Sequence, residues 1–276
     1  MLGDLNVRSL SWIVKASQFE HSPGPDGNVF IRNANDMTAL TDITSVPGSL
    51  TLENINFDPL TMLSHITDIE GDLIIDTNRN LEHLTVFENL QSVGGDMILS
   101  GAFKSLAGLD NLQFIGGDMA ILCSSLWEKG GQLESLAGLD NLQSIGGDMT
   151  ISTANLLRSL AGLDNLQSVG GDMTISTNDL FNSLAGLDNL QSVGGDMIIS
   201  QNRVMSFAGL ESLQSIDGAL KIQVNDHLTS LSELESLQSV GLSVLIDRNR
   251  NLCDSEAEAL LDQIGEIGEV SGGKQC

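Results

Sequence analysis

The sequence predicts an all-β fold in which the chain winds into a parallel β-solenoid of about 24 residues per coil. Two observations predict this fold. The string SLAGLDNLQSVGGDMTIS recurs almost unchanged along the chain, and apolar residues occupy the same positions in every copy. A period of this length is too short for the common helical-pair repeats and is typical of solenoids that contain strands.

The period is measured between anchor residues, which are the second glycine of each Gly-Gly pair or its counterpart. The anchors are Gly48, Gly71, Gly95, Gly117, Gly147, Gly171, Gly195, Gly218 and Leu242. Their spacings are 23, 24, 22, 30, 24, 24, 23 and 24 residues. The long coil holds an insertion, Leu122–Gln132, which carries Trp127, one of only 2 tryptophans. An aromatic side chain on an insertion loop is a candidate recognition point, although packing over the coil edge explains it equally well.

A short strand is predicted directly after each anchor. The residues two and four positions after it are apolar in every coil, as at Met173 and Ile175, which is the period of a strand with one buried face. We therefore expect the methionine column to belong to the core. An earlier strand at 28–31 brings the stack to about ten rungs by the same pattern. We expect the Gly-Gly pair to form a tight corner that needs residues without Cβ.

The two ends of the stack are predicted to be capped, because open sheet edges invite pairing with other chains. We divide the chain into an N-terminal cap and linker at 1–27, the solenoid at 28–253 and a C-terminal cap at 254–276. The C-terminal cap contains a predicted helix from Asp254, its N-cap, to Gly265. Its apolar stripe is Ala257, Leu260, Leu261 and Ile264.

Three cysteines are present, and none has histidine neighbours that would indicate a metal site. Cys253 and Cys276 flank the C-terminal segment, whereas Cys123 lies far upstream. We expect a Cys253–Cys276 disulfide that closes the end of the chain, with two free thiols as the alternative. Such a bond would suit an oxidising compartment.

The repeat reads Leu-x-x-Leu-x-x-Leu-x-x-Ile-Gly-Gly-x-Leu-x-Ile-x-x-Asn and resembles the receptor L-domain repeat, which is similar to leucine-rich repeats. The resemblance covers about residues 28–253, and the ending NRNLCDSEAEALLDQI resembles the C-terminal cap of microbial members. It implies a right-handed β-solenoid that binds ligands without catalysis, as the L domains of insulin and EGF receptors do. It also implies a secreted or cell-surface protein. This chain departs from those receptors in having no cysteine-rich module and no kinase.

Composition and charge exclude several kinds of partner. The 12 Lys and Arg against 37 Asp and Glu give a net charge of −25, which repels nucleic acid and anionic membrane surfaces. No apolar run is long enough to suggest a transmembrane segment. Residues 1–20 do not resemble a signal peptide, because the apolar patch Leu10–Val14 is short and interrupted by Ser11. Either an export signal lies outside this chain or the protein is not exported.

Two columns of acidic residues run along the predicted stack. One lies directly after the anchor: Asp72, Asp96, Asp118, Asp148, Asp172 and Asp196. The other lies seven residues before it: Glu88, Asp110, Asp140, Asp164, Asp188, Glu211 and Glu235. Stacked like charges repel, so something must offset them. We expect the carboxylates to accept local backbone N–H bonds at the turns. The alternative is calcium bridging, with Asp96, Asp118, Asp148, Asp172 and Asp196 as ligands and calcium as the one possible cofactor.

Hydroxyl side chains form a second feature of the predicted outer face. Thr150 and Ser152 recur as Thr174 and Ser176, followed by Ser200, and they make a flat strip that resembles part of an ice-binding surface. An ordinary solvent-facing sheet explains the same residues. Two further columns are amides. In the first, we expect stacked side-chain amides to bond along the axis of the stack; its members are Gln91, Gln113, Gln143, Gln167, Gln191, Gln214 and Gln238. In the second, we expect turn amides to pair with the backbone of neighbouring coils; its members are Asn78, Asn178, Asn202, Asn225 and Asn249.

Catalysis has little support in this sequence. The histidines, at positions 21, 65, 83 and 227, lie on different coils without metal-ligand or acid–base spacing. We therefore expect no enzyme. The leading hypothesis is a recognition or adhesion module that binds a protein or glycan along one solenoid face, with Trp127 and the Thr/Ser strip as candidate contacts. An ice-binding protein is the alternative, and a structural spacer in a larger surface protein is the third hypothesis.

Overall fold

The chain forms a solenoid with two parallel sheets that share one apolar core. The computed structural model describes residues 27–33, 36, 40, 43–53, 55, 63–78, 84–123, 133–265 and 268–276. Strand follows strand in chain order across an 11-stranded sheet, called here the long sheet. Its strands are Val29–Ile31, Leu50–Glu53, Leu73–Asn78, Met97–Gly101, Met119–Leu122, Met149–Ser152, Met173–Ser176, Met197–Ser200, Leu220–Gln223, Val244–Asp247 and Glu269–Ser271. The predicted β-solenoid of about 24 residues per coil is confirmed.

A second sheet, called here the short sheet, consists of 9 two-residue strands that end two residues before each anchor. They are Ser45–Val46, Asp68–Ile69, Ser92–Val93, Phe114–Ile115, Ser144–Ile145, Ser168–Val169, Ser192–Val193, Ser215–Ile216 and Ser239–Val240. The sequence did not predict this sheet, because two residues are too few to show a strand period. Short 3-10 helices, Thr85–Phe87 and Ser232–Leu234, lie between the two sheets in two of the coils.

The core is the stack of apolar columns that the repeat predicts. Met97, Met119, Met149, Met173 and Met197 are fully buried and pair in register along the long sheet. The leucines that recur every third residue fill the space between the sheets and are also buried. The prediction that the methionine column is core is confirmed.

The Gly-Gly pairs lie at the bend between the short and long strands, as predicted, and they need to lack a Cβ because of the neighbouring coil. In the described coils, none of these glycines has a positive φ. A Cβ on Gly170 would collide with the carbonyl oxygen of Gly146, and one on Gly171 with Oδ1 of Asp148. The pairs therefore allow one coil to approach the next closely. The glycine that needs left-handed backbone freedom is the one in the Ala-Gly-Leu turn, such as Gly162 with φ 111°.

Buried asparagines form a ladder along the stack, and each lies two residues after the carboxyl end of a long-sheet strand. Asn178, Asn202, Asn225 and Asn249 are at most 5% exposed. The backbone N–H of Asn202 donates to Asn225 Oδ1 at 3.1 Å, and that of Asn225 donates to Asn249 Oδ1 at 2.9 Å. Each Nδ2 donates to a carbonyl in the preceding coil, as Asn225 does to Ile199 at 2.9 Å. The predicted amide pairing between coils is confirmed for these four; the side chain of Asn78 lies outside the described part.

The C-terminal cap closes the stack with a helix and one further strand. Helix α1, Asp254–Ile264, ends at Gly265 in a left-handed conformation and buries Ala257 and Leu260. Its N-cap is Cys253 rather than the predicted Asp254, which is the first helical residue. The chain then returns as strand Glu269–Ser271, which pairs with Val244–Asp247 and is not foreseen by the repeat. This strand makes 11 rungs instead of ten.

The cysteines pair as expected. Cys253 and Cys276 form a disulfide, and Cys123 is a free, buried thiol. Lys274, two residues before Cys276, forms a parallel bridge with Cys253 and donates its N–H to Leu252 at 2.8 Å. The disulfide therefore joins a tail that already follows the edge of the last coil. The predicted N-terminal cap at 1–27 lies almost wholly outside the described residues.

Candidate functional site

The outer face of the long sheet carries three columns of side chains, one, three and five residues after each anchor. They point away from the core because alternate residues of a strand face opposite sides. The first column is largely aspartate, and the second is aliphatic or threonine, for example Ile98, Thr150 and Ile198. The third includes the serines of the predicted strip. Most members of the second and third columns are half-buried by their neighbours in the stack.

The predicted hydroxyl residues are brought together by the strand register. Thr150 pairs with Thr174, and Ser152 pairs with Ser176, which in turn pairs with Ser200. The strip is interrupted on both sides, because Ser152 also pairs with Leu122 and Ser200 pairs with Gln223. Trp127, the remaining predicted contact, lies in residues 124–132, outside the described part of the chain. Its role in binding stays a prediction.

The aspartate ladder, defined as Asp72, Asp96, Asp118, Asp148, Asp172 and Asp196, is held by backbone bonds between coils. Oδ1 of each aspartate accepts the backbone N–H of the residue in the same position of the next coil, at 2.7–2.9 Å. Asn28 and Ser49 continue the same pattern at the N-terminal end. The predicted bonds to backbone N–H groups are thus present, but they join neighbouring coils and are not local to one turn.

The charges along this ladder are not equivalent. Burial raises the pKa of Asp96 and Asp148, and the neighbouring aspartates raise it further, against the opposing effect of the backbone bond that each accepts. At Asp196 burial also acts to raise the pKa, but the Ala219 N–H and the Lys221 ammonium outweigh it and hold the pKa below its usual value. Lys221 Nζ lies 2.5 Å from Asp196 Oδ2. Repulsion is therefore relieved at one end of the ladder and retained in its middle.

Calcium bridging is not tested by this structure and stays a prediction. Among the described residues, no three His, Cys, Asp or Glu side chains converge on a point that could hold a metal ion. The second oxygen of each ladder carboxylate is the one that a cation could reach, since Oδ1 accepts a backbone N–H.

The second acidic column stabilises turns, as expected. Oδ2 of Asp110, Asp140 and Asp164 accepts the N–H of the glycine two residues earlier at 2.8 Å, and Asp188 and Glu211 do the same. The neighbouring asparagines add bonds between coils that sequence reasoning missed. Nδ2 of Asn165 donates to the carbonyl of Asp140 at 2.6 Å, for example. The recurrence of Asn directly after Asp in four coils was the available indication.

The glutamine column bonds along the axis through its backbone and not through its side chains. The N–H of Gln167 donates to the carbonyl of Gln143 at 2.9 Å, and the same bond recurs from Gln113 to Gln238. In the described coils the glutamine side chains are exposed. The predicted bonding between stacked side-chain amides is therefore wrong, and the bonds between coils at this position join backbone groups.

No acid–base or nucleophilic arrangement is visible in the described part of the chain. His65 lies against the carbonyl oxygen of Leu40, with Nε2 2.6 Å away, and His227 is exposed on another coil. The other histidines, at 21 and 83, lie outside the described residues. None of the helices in the described ranges is long and apolar enough to cross a membrane.

Comparisons with known proteins agree with this architecture. The receptor L domain family pattern matches residues 42–104 and 167–264, which together are more than half of the chain. A stretch of 78 residues is 33% identical to Sporulation-specific protein 22 of Saccharomyces cerevisiae. That stretch is 28% of this chain and only 17% of the yeast protein.

Proposed function

The chain belongs to the receptor L domain family, a family of binding domains, and from that premise we propose that it is a non-enzymatic recognition module at the cell surface or in a secreted protein. Its ligand is a protein or a glycan that lies along the outer face of the long sheet. The observation that carries the proposal is the register of this face, which aligns identical side chains in successive coils.

The size of the face supports binding of a macromolecule. Its 11 strands, at the usual strand spacing, span ~48 Å along the axis, and the three outward columns cover ~13 Å across it. The product, ~600 Å², is close to the ~800 Å² that each partner contributes to a standard interface. Hydrogen bonds to the backbone fix the side chains of the aspartate ladder before any ligand arrives, which lowers the entropy cost of binding.

The test is binding of the labelled chain to a glycan array and to whole cells. Replacing Thr150 and Thr174 by Arg changes the middle of the face without touching the core. We expect this double variant to lose at least tenfold in affinity for whatever ligand the parent binds. Gln143→Arg with Gln167→Arg adds the same charge beside the short sheet and should bind as the parent does. Equal losses in both variants, or no ligand for the parent, would contradict the proposal.

The aligned hydroxyls favour one second candidate, an ice-binding protein. Thr150, Thr174 and the three serines form ranks with the regular spacing of a parallel sheet. Charged residues border them, since Asp148 and Asp172 precede the threonines and Lys221 follows in the same column. The shape of an ice crystal grown in a chilled droplet distinguishes the candidates. Faceted ice crystals with the parent, which Thr174→Arg abolishes, would indicate ice binding. Unshaped crystals with the parent would favour the recognition module.

A further inference from the structure

Basic residues of this acidic protein are concentrated on one side of the solenoid. The described part of the chain contains 8 Lys and Arg. All except Lys221 follow the end of a long-sheet strand within six residues: Arg32, Lys104, Arg158, Arg203, Arg248, Arg250 and Lys274. The aspartate ladder begins the same strands. The aspartate ladder and most of the described basic residues therefore lie at opposite ends of the long strands.

The rim patch, defined as Arg203, Met205, Val224, Arg248 and Arg250, occupies this basic side in three successive coils. All five side chains are exposed, including Met205 at 55% and Val224 at 37%. The residues between them, Asn202, Asn225 and Asn249, belong to the buried asparagine ladder. Because that ladder fixes the backbone beneath the patch, the outward side chains are presented by a rigid surface.

The three guanidinium groups remain available to a partner. Arg248 Nε is 3.4 Å from Asp247 Oδ2, and Arg250 is 3.6 Å from Asp226 Oδ2, with 74% and 79% of the arginine side chains exposed. Exposed pairs of this length contribute little to stability and exchange readily for other partners. Arg203 makes no ion pair within the described residues. The patch holds three arginines against two neighbouring acids, Asp226 and Asp247, so one positive charge remains in excess.

Screening separates the rim patch from the field of the aspartate ladder. Val224 lies five residues after the aspartate-ladder position of its own coil, which corresponds to ~16 Å along a strand. The screening length at physiological ionic strength is ~8 Å, so the ladder's field is weak at the patch. An anionic group that approaches the rim is attracted by the arginines although the chain as a whole carries −25.

We propose that the rim patch is a second interaction surface, which binds a protein segment that combines carboxylates with aliphatic or aromatic side chains. Guanidinium groups pair with carboxylates through two parallel hydrogen bonds. Exposed Met and Val beside them favour a polypeptide over a glycan, because Arg, Met and apolar side chains together are typical of protein interfaces. This surface is distinct from the outer face of the long sheet, so the two proposals can fail independently.

The test begins with a random peptide library displayed on phage and selected on the intact chain in 0.15 M NaCl. We expect enriched peptides to interleave Asp or Glu with apolar residues, and their affinity to fall as salt is raised. A synthetic copy of the selected peptide should bind at least tenfold more weakly to Arg203→Ser with Met205→Ser. Thr150→Arg with Thr174→Arg, on the proposed ligand face, should bind this peptide as the parent does.

The matched control is Arg158→Ser with Leu156→Ser. This pair has the same spacing and lies on the same rim, and Leu156 is 40% exposed, but the coil of Asp179 separates it from the patch. Equal weakening by both double variants would overturn the proposal, as would enrichment of basic peptides. Binding of a heparin oligosaccharide that depends on Arg203, without any acidic peptide, would assign the patch to an anionic glycan and also overturn it.

Discussion

At the scale of single residues, the methionine column tests the register of the solenoid. Met173 is fully buried between Met149 and Met197, and the adjacent Thr174 faces outward. Met173→Asp places a charge in the core without a partner, which should cost about 3–5 kcal/mol of unfolding free energy. Thr174→Asp adds the same charge one residue away on the open face and should cost far less. Thermal melts followed by circular dichroism compare the two, and similar melting temperatures would contradict the register.

Val224 is predicted to be a site of stored backbone strain. It has φ 56°, a left-handed conformation that is unfavourable for a β-branched residue, and residues in the same position of neighbouring coils share it. Asn tolerates this conformation, so Val224→Asn should raise the stability by about 1 kcal/mol. Val224→Ala is the control, because it removes the branch but lacks the side-chain amide that stabilises Asn in this conformation. In urea titrations the unfolding free energy of the Asn variant should exceed that of the Ala variant and that of the parent. An Asn variant less stable than the parent would contradict the prediction of backbone strain.

At the scale of elements, the aspartate ladder should show two opposite pH dependences. The pKa of Asp148 is raised, so the folded state holds this proton to a higher pH than the unfolded state does. The stability contributed by Asp148 is therefore complete below its usual pKa of 3.8 and is lost as pH rises through the raised value. Asp148→Asn keeps the oxygen that accepts the Asp172 N–H and removes the charge. It should raise the melting temperature at pH 7, and the gain should disappear in acid.

Asp196 should behave in the reverse sense. Its pKa is lowered, so its contribution is present above the usual value of 3.8 and is lost as pH falls through the lowered value. Asp196→Asn removes the partner of Lys221 and should lower the melting temperature at pH 7, with a smaller loss in acid. Melting curves of both single variants between pH 3 and 8 check this. Shifts of the same sign in the two variants would show that the ladder acts as a uniform set of charges.

The Cys253–Cys276 disulfide is predicted to stabilise the C-terminal strand. Glu269–Ser271 covers the free edge of Val244–Asp247, and the Cys253–Cys276 bond holds its end. Cys276→Ser should lower the unfolding free energy by up to about 3 kcal/mol on loop-closure grounds. It should also increase hydrogen exchange in Glu269–Ser271 before any other strand. Cys123 is the built-in control, because burial raises its pKa to about 11 and it should resist alkylation until the protein is denatured.

The repeat could predict the elements whose residues recur with a clear period, and it failed where tertiary contacts decide. The Met and Ile columns have a strand period, and the solenoid follows from them. The strand Glu269–Ser271 has no repeat around it, and it forms because the edge of the last coil needs a partner. The role of Gly171 was also hidden, since the group that its missing Cβ makes room for belongs to Asp148 in the previous coil. The sequence shows the columns of identical polar residues. It does not show whether the side chain or the backbone of each residue makes the hydrogen bond between coils.

At the scale of the whole molecule, charge should make stability depend on ions. The chain carries −25, and ladder carboxylates in neighbouring coils are separated by about the strand spacing of ~4.8 Å. The ~8 Å screening length at 0.15 M salt exceeds that spacing, so only part of the repulsion is relieved. Raising NaCl further should therefore raise the melting temperature of the parent. The rise should be smaller in Asp148→Asn with Asp172→Asn, because the repulsion in the middle of the ladder has been removed.

Comparing the effects of calcium and magnesium on the melting temperature distinguishes charge screening from metal coordination. One oxygen of each ladder carboxylate already accepts a backbone N–H, so we expect the two cations to raise the melting temperature equally at matched ionic strength. A site that binds calcium in the folded state would instead add stability by mass action as calcium is raised, and magnesium would not. Asp148→Asn with Asp172→Asn is the informative variant, since it leaves the Asp196–Lys221 pair intact. A calcium-specific rise in the parent that this variant abolishes would contradict pure screening and assign bridging calcium to the ladder.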